Sequence, residues 1–255
     1  MFIAENISTA GLGNRLRFTL SAAIAAKDLG RKFGYVWPTG ELFGRKFVDL
    51  WQYEEEELPE VPKEVPIWDA SSEPWKVPNG SFRVKSGNVV TVGGDVNRWE
   101  KSLRELSLQP RIEEKVQTVF SEARLGEFQG VQVRASQKSH SNTIASSPIS
   151  WFERRLDKIL HDSDDKIYLS CDDKAAQNLL QRRAPDRIVA LDVPSGYNDG
   201  AALDKAVVDL YVLAQAKYLI GPHWSSFVEL AWALADRRVP LETSQRVKPA
   251  EKSRS

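Results

Sequence analysis

The sequence predicts an α/β fold built on mostly parallel sheets. Three observations carry that reading. The first 37 residues run strand, glycine turn, helix, strand. Between residues 129 and 235, strand-like and helix-like segments alternate four times, a pattern that calls for a parallel sheet with helices packed on it. The length, 255 residues with 42% apolar and 27% charged, suits one large or two ordinary domains able to bury a core without disulfides.

Residues 1–4 form the first short apolar strand, and Gly11-Leu12-Gly13-Asn14 is the turn after it. Leu16, Leu20, Ala23 and Ile24 then recur at helical spacing as far as Leu29. Gly30 stops the helix, with Lys27 near its negative end. Residues 33–37 read as the next strand, closed by Pro38. Residues 52–80 hold four consecutive glutamates, Glu54 to Glu57, and prolines 59, 62, 66, 74 and 78, so long regular elements are not expected there. Such a charge run reads as a solvated face. Trp51, Trp68 and Trp75 either anchor this stretch to a core or line a sugar site. Residues 82–92, broken at Gly87-Asn88, read as a hairpin, and Pro110 opens a helix to about 123. Strands are then expected at 130–134, 166–170, 187–191 and 218–221, and helices at 149–160, 174–183, 201–214 and 226–235. The Lys-, Arg- and Ser-rich residues 243–255 read as a disordered tail.

Composition narrows the function. Thirty-five basic and 35 acidic residues cancel, which argues against a mainly electrostatic nucleic-acid or membrane binder. The single Cys171 leaves no disulfide framework or multi-thiolate metal site, and His140, His161 and His223 are too widely spaced for a ligand cluster. No apolar run is long enough for a membrane span, and the first residues lack the pattern of a signal peptide, so a cytoplasmic protein is expected.

In open α/β sheets, ligands collect at the carboxyl ends of the strands, so the polar residues just after each strand are the candidates. Gly11 to Arg17 places free N–H groups at a helix start, with Arg15 and Arg17 in the first turn, where the dipole disfavours them; either an anion is met there or they are solvated. Leu16 breaks the dinucleotide fingerprint, which makes a nicotinamide enzyme a poor match. Arg134 closes a strand and wants a bidentate anion or an acidic neighbour. Asp172 and Asp173 can hold hydroxyls or a metal, and Asp173 is also a natural N-cap. Asp209, alone in an apolar helical run, needs donors: a guanine edge or a nearby arginine. Ser225 and Ser226 begin a helix as a phosphate cradle, and Ser226 with Glu229 matches a capping box.

Taken in order, these blocks resemble one family. G-L-G-N-R-L-R followed by L-G-R-K-x-x-Y-V-W-P is similar to the opening of nodulation-protein-Z-type fucosyltransferases. V-Q-V-R at 131–134, Y-L-S-C-D-D at 168–173, A-V-V-D-L-Y-V-L-A-Q-A-K-Y-L-I-G at 206–221 and S-S-F-V-E-L-A at 225–231 resemble motifs of α1,6-fucosyltransferases and protein O-fucosyltransferases. The resemblance implies a GT-B arrangement, two facing Rossmann-like domains, here 1–125 on the acceptor side and 126–242 on the GDP-sugar side. It implies inverting, metal-independent transfer of fucose, or another sugar, from a GDP-sugar to a hydroxyl of a glycan, lipid-linked sugar or protein, with no further cofactor.

Carried over residue by residue, Arg134 meets the β-phosphate and stabilises the leaving GDP, Asp209 recognises guanine, and Ser225 and Ser226 hold phosphate. Asp172 and Asp173 form the acidic pair of the nucleotide site. Gly11, Gly13, Asn14 and Arg15 face the donor. Gln132 stands where the family has histidine, Ala135 replaces a second arginine, Gln137 an acid and Asn142 the glutamate base, while Lys138 keeps the basic position. His140, close to the base position, is the candidate catalytic base beside Arg134. These replacements also motivate an alternative, a catalytically silent GDP-sugar-binding module acting as a sensor or partner.

Overall fold

The structure, a computed structural model, describes residues 1–69, 77–86, 88–92, 95–137 and 141–251. The chain divides into two compact units: Met1–Gln109 with Asn198–Leu203, and Pro110–Tyr197 with Asp204–Ser255.

Unit 1 contains β1 (Phe2–Asn6), α1 (Leu12–Asp28), β2 (Phe33–Val36), β3 (Trp51–Gln52), β4 (Glu56–Glu57), β5 (Phe82–Ser86), α2 (Trp99–Glu105) and β6 (Ser107–Leu108). Its main sheet has the order β4-β2-β1-β5, parallel throughout. Among the described residues of 82–92 the expected hairpin does not form. β5 instead lies parallel to β1, with Phe2 opposite Phe82, and Val90 is tied to α1 by its N–H on Ser21 Oγ at 2.9 Å. Aromatic rings fill the core of this unit. Phe2 meets Phe33, Phe82 and Trp68, and Tyr35 meets Phe47 and Tyr53. Trp51 and Trp68 are buried, so they anchor the proline-rich stretch to the core; Trp75 lies outside the described residues. The glutamate run is also partly structural. Glu56 and Glu57 form β4 against β2, where Tyr35 Oη donates to Glu57.

Unit 2 contains α3 (Pro110–Ala123), β7 (Phe128–Val133), α4 (Ser141–Ser146), α5 (Ile149–Asp162), β8 (Lys166–Cys171), α6 (Lys174–Gln181), β9 (Ile188–Val189), α7 (Gly200–Leu213, its first four residues in unit 1), β10 (Tyr218–Gly221), α8 (Ser226–Leu234), β11 (Leu241–Thr243) and β12 (Val247–Lys248). The sheet order is β12-β11-β10-β7-β8-β9, parallel except for β12. From β7 the chain moves outward through β8 to β9, then returns to the other side of β7 for β10 and β11. That is the 3-2-1-4-5-6 strand order of a dinucleotide-binding sheet, with its reversal between β7 and β10. On one face Val131, Val133, Ile167 and Leu169 pack with Phe152, Leu156 and Ile159 of α5 and Leu180 of α6. A Cβ on Gly130 would sit 2.9 Å from Leu213, so glycine lets α7 approach the strand closely.

The main segment of unit 1 ends at Gln109, so α3 groups with unit 2. Lys166 Nζ bonds to the carbonyl of Ala123, and Phe120 meets Phe128, which join α3 to unit 2. Residues 244–251, expected to be disordered, are instead fastened to it. β12 pairs with β11, Lys248 Nζ bonds Glu229 at 3.0 Å, and Arg237 binds Glu251 at 3.0 Å. Lys248 and Arg237 also lie over the Trp232 ring.

Candidate functional site

In unit 2, β7, β8, β10 and β11 run parallel, so their carboxyl ends share one edge. Arg134 follows β7, Asp172 and Asp173 follow β8, and the 222–225 turn follows β10. The register Val133↔Cys171 puts Arg134 and Asp172 side by side, and Arg134 Nη1 lies 3.3 Å from Asp172 Oδ2. The other Asp172 oxygen accepts the N–H groups of Ala135 (2.7 Å) and Ser136 (3.0 Å). Asp172 therefore fixes the start of the loop after β7 and one corner of the guanidinium. Arg134 stays one-third exposed, with this single ion pair among the described residues. Asp173 takes the plainer of its two readings: its Oδ1 accepts the Ala176 N–H at 2.8 Å and caps α6.

Between β7 and β10, Ser225 Oγ donates to Gln132 Oε1 at 3.0 Å, both side chains being buried. This fixes the N-cap of α8. The expected capping box of Ser226 and Glu229 is not formed, because the N-cap is Ser225 and Glu229 reaches instead to Lys248. With Ser225 turned toward Gln132, no side chain caps the first amides of α8, so they remain available to an anion. Gly221 brings the helix in: a Cβ there would stand 2.7 Å from Val228. The turn is held from the other side as well. The His223 N–H donates to Ser147 Oγ (2.9 Å), which shares a hydrogen bond with Ser244 Oγ (2.8 Å).

Asp209 finds its donors inside the protein. Tyr168 Oη donates to Oδ1 (2.7 Å), while Ser170 Oγ and Lys205 Nζ donate to Oδ2 (both 2.6 Å). The side chain is 3% exposed. Of the two sources of donors open in the sequence, a base edge or an internal cation, the structure supplies the cation, and it is a lysine rather than an arginine. The i, i+4 spacing of Lys205 and Asp209 on α7 was the available sequence signal. Burial, with the Asp209 charge second, pushes the Tyr168 phenol well above its usual range, so it remains a donor. Nearby, the Cys171 thiol points to the Asp173 carbonyl (3.3 Å), and burial pushes it up to about 12.

In unit 1 the loop after β1 leads to α1 with Gly11 as N-cap and no side-chain cap. Gly13 is buried in the first turn, and Asn14 Oδ1 accepts from Arg17 Nη2 at 2.6 Å. Arg15 does not reach outward. Helical side chains tilt toward the N-terminus, and this one folds back under its own loop. Nε bonds Ala10 O (2.8 Å), Nη2 bonds Ser8 O (2.8 Å) and Nη1 bonds Pro38 O (2.6 Å), with the guanidinium 4.0 Å from the Phe43 ring centroid. It is fully buried, and burial lowers its pKa to about 10, leaving it charged at neutral pH. The expected anion contact at Arg15 is thus replaced by a brace on the loop.

Lys138 and His140 lie outside the described residues, and Asn142 is exposed on α4. Among the described residues no group of three or more His, Cys, Asp or Glu could hold a metal, and no helix is long and apolar enough to cross a membrane. Sequence reasoning missed Trp224, Lys205, Ser147 and Ser244.

No protein-family model matches the chain, and no curated protein matches it in sequence. Solved structures do match. NodZ, an α-1,6-fucosyltransferase co-crystallised with GDP, superposes with TM-score 0.67 at 16% identity, over 97% of each chain. The fucosyltransferase NodZ from Bradyrhizobium gives 0.65 at 16%, again over 97% of each. POFUT1 in complex with GDP gives 0.62 at 13%, over 96% of this chain and 98% of that one. A variant of FUT1 from Arabidopsis thaliana in complex with GDP gives 0.59 at 13%, over 95% and 69%. With its parallel sheets, its reversal between β7 and β10 and these superpositions, the chain has the fold of the fucosyltransferases.

Proposed function

We propose that the chain is a glycosyltransferase that moves a sugar, fucose first among the candidates, from a GDP-sugar to an acceptor hydroxyl. The observation that carries this reading is the edge of unit 2. A half-buried arginine and an uncapped helix start stand beside the reversal of a dinucleotide-type sheet. The GDP complexes of proteins with this fold support the same choice of nucleotide.

In the proposed reaction the acceptor oxygen bonds to C1 of the sugar as the C1–O bond to the diphosphate breaks. GDP leaves with the bonding pair, the hydroxyl proton is lost to a base, and the anomeric centre inverts. Negative charge grows on the departing β-phosphate. Arg134, steadied by Asp172, and the α8 amides meet that charge without needing a metal ion. Gln132 and Ser225 keep α8 in place. His140 is the proposed base.

Calorimetric titration with GDP, with UDP and NAD as controls and with and without magnesium, tests the reading. GDP should bind selectively and independently of metal, Arg134→Ala should weaken it ~100-fold, and GDP-fucose turnover should fall with it. No GDP binding, or binding unchanged in Arg134→Ala, overturns the nucleotide site. GDP binding with no turnover on any acceptor overturns the transferase and leaves a binding module.

A further inference from the structure

The turn between β10 and α8 holds a feature that phosphate binding does not explain. Trp224 is 74% exposed, and its backbone sits at φ +65°, in the left-handed region. A bulky residue in that region is a genuine outlier, and such strain persists only where the surroundings impose it. Here they do. The preceding His223 N–H is held by Ser147, which is bonded in turn to Ser244, and the following Ser225 side chain is held by Gln132. The His223 ring meets the indole edge-on, with centroids 4.9 Å apart. The turn is clamped on both sides while most of the largest side chain in it is left bare, at the sheet reversal and one residue from the N-cap of α8.

We propose that Trp224 is the stacking platform for the base of the nucleoside diphosphate. The proposal rests on the nucleotide reading above and extends it from the phosphates to the base. An indole face recognises a planar base through its π-surface, and such stacking is sequence-tolerant. Because Trp224 adjoins the helix start in the chain, one nucleotide can span the ring and the phosphate cradle. Trp224 therefore contributes affinity for the base, while Arg134 contributes affinity for the diphosphate.

The test titrates GDP, GDP-fucose, guanosine and inorganic diphosphate into the wild-type chain and into Trp224→Ala, Trp224→Phe and Trp224→Gly. Trp224→Ala should bind GDP and guanosine ~10-fold more weakly, and Trp224→Phe should stay within ~3-fold of wild type. Trp224→Gly, which relieves the left-handed strain, should bind as weakly as Trp224→Ala. Diphosphate affinity should be the same in all four proteins. Unchanged GDP affinity in Trp224→Ala overturns the proposal but not the nucleotide site, and a loss confined to GDP-fucose assigns the ring to the sugar instead. Equal weakening of GDP and diphosphate means that the indole only shapes the turn. Failure of the wild-type chain to bind GDP removes the nucleotide reading itself, and this proposal with it.

Discussion

The two units use arginine in opposite ways at equivalent places. Each has an arginine near the carboxyl end of a central parallel strand, Arg15 in the helix after β1 and Arg134 directly after β7. Arg15 is fully buried and spends its donors on three backbone carbonyls of its own unit. Arg134 is one-third exposed and has one 3.3 Å ion pair. The first builds a loop and the second leaves part of its guanidinium to solvent. An arginine beside a glycine turn therefore identifies an anion site only once its other hydrogen bonds are known. The aspartates divide the same way: Asp209 closes a buried network, while Asp172 works at the exposed edge.

Four measurements test that contrast. Asp209→Asn removes the charge that balances the buried Lys205 ammonium and should cost about 3–5 kcal/mol in urea unfolding. A near-neutral effect would mean that Lys205 escapes to water. Arg15→Met strands three carbonyls and should cost about 3 kcal/mol; Arg134→Ala, screened by solvent, should cost under ~1 kcal/mol. If the two variants melt alike, the distinction between brace and open arginine fails.

Alkaline pH gives a third comparison, within unit 2. Folding raises the Cys171 thiol from 9.0 to about 12, so the unfolded chain loses that proton first. The stability this provides is complete below pH ~9 and is lost as pH rises toward ~12, a fall of about 4 kcal/mol. Buried Tyr168 and half-buried Tyr218 shift in the same direction and add to the decline. Cys171→Ala should therefore show a shallower loss of urea midpoint between pH 8.5 and 11, and an identical slope would rule the thiol out. Ser225→Ala should cost about 1 kcal/mol for its bond to Gln132. Its GDP affinity should change little, because the α8 amides and not the hydroxyl are the proposed phosphate donors.

The sequence made the regular parts of the fold legible. Helix 110–123 and strand 218–221 match the structure at both ends, and the other unit 2 elements expected from the sequence differ by a few residues, because hydrophobic period and proline or glycine breaks are local properties; the short α4, β11 and β12 were not expected. Partner choice was not legible. The segment starting at Phe82 looked like half of a hairpin, yet it pairs in parallel with β1, some 80 residues away in sequence. The tail looked disordered because its basic residues showed no local partners, whereas Glu229 and Trp232 on α8 receive Lys248. At the site, the structure places Arg134, Asp172 and Ser225 just after their strands, where the sequence pattern put them. The role of Arg15 depended on a contact with Pro38 that no spacing rule exposes, whereas the partner of Asp209, Lys205, stood at i, i+4 spacing. The Trp224 backbone angle has no counterpart in composition at all.

The brace beneath the first loop has a thermodynamic consequence. Arg15 ties down the carbonyls of Ser8 and Ala10 from below, while Ile7, Ser8, Thr9 and Gly11 remain exposed above. A molecule landing on that surface meets a backbone already ordered by folding. Its binding then gives up little conformational entropy on the protein side, and rigidity is supplied by an arginine that never touches the visitor.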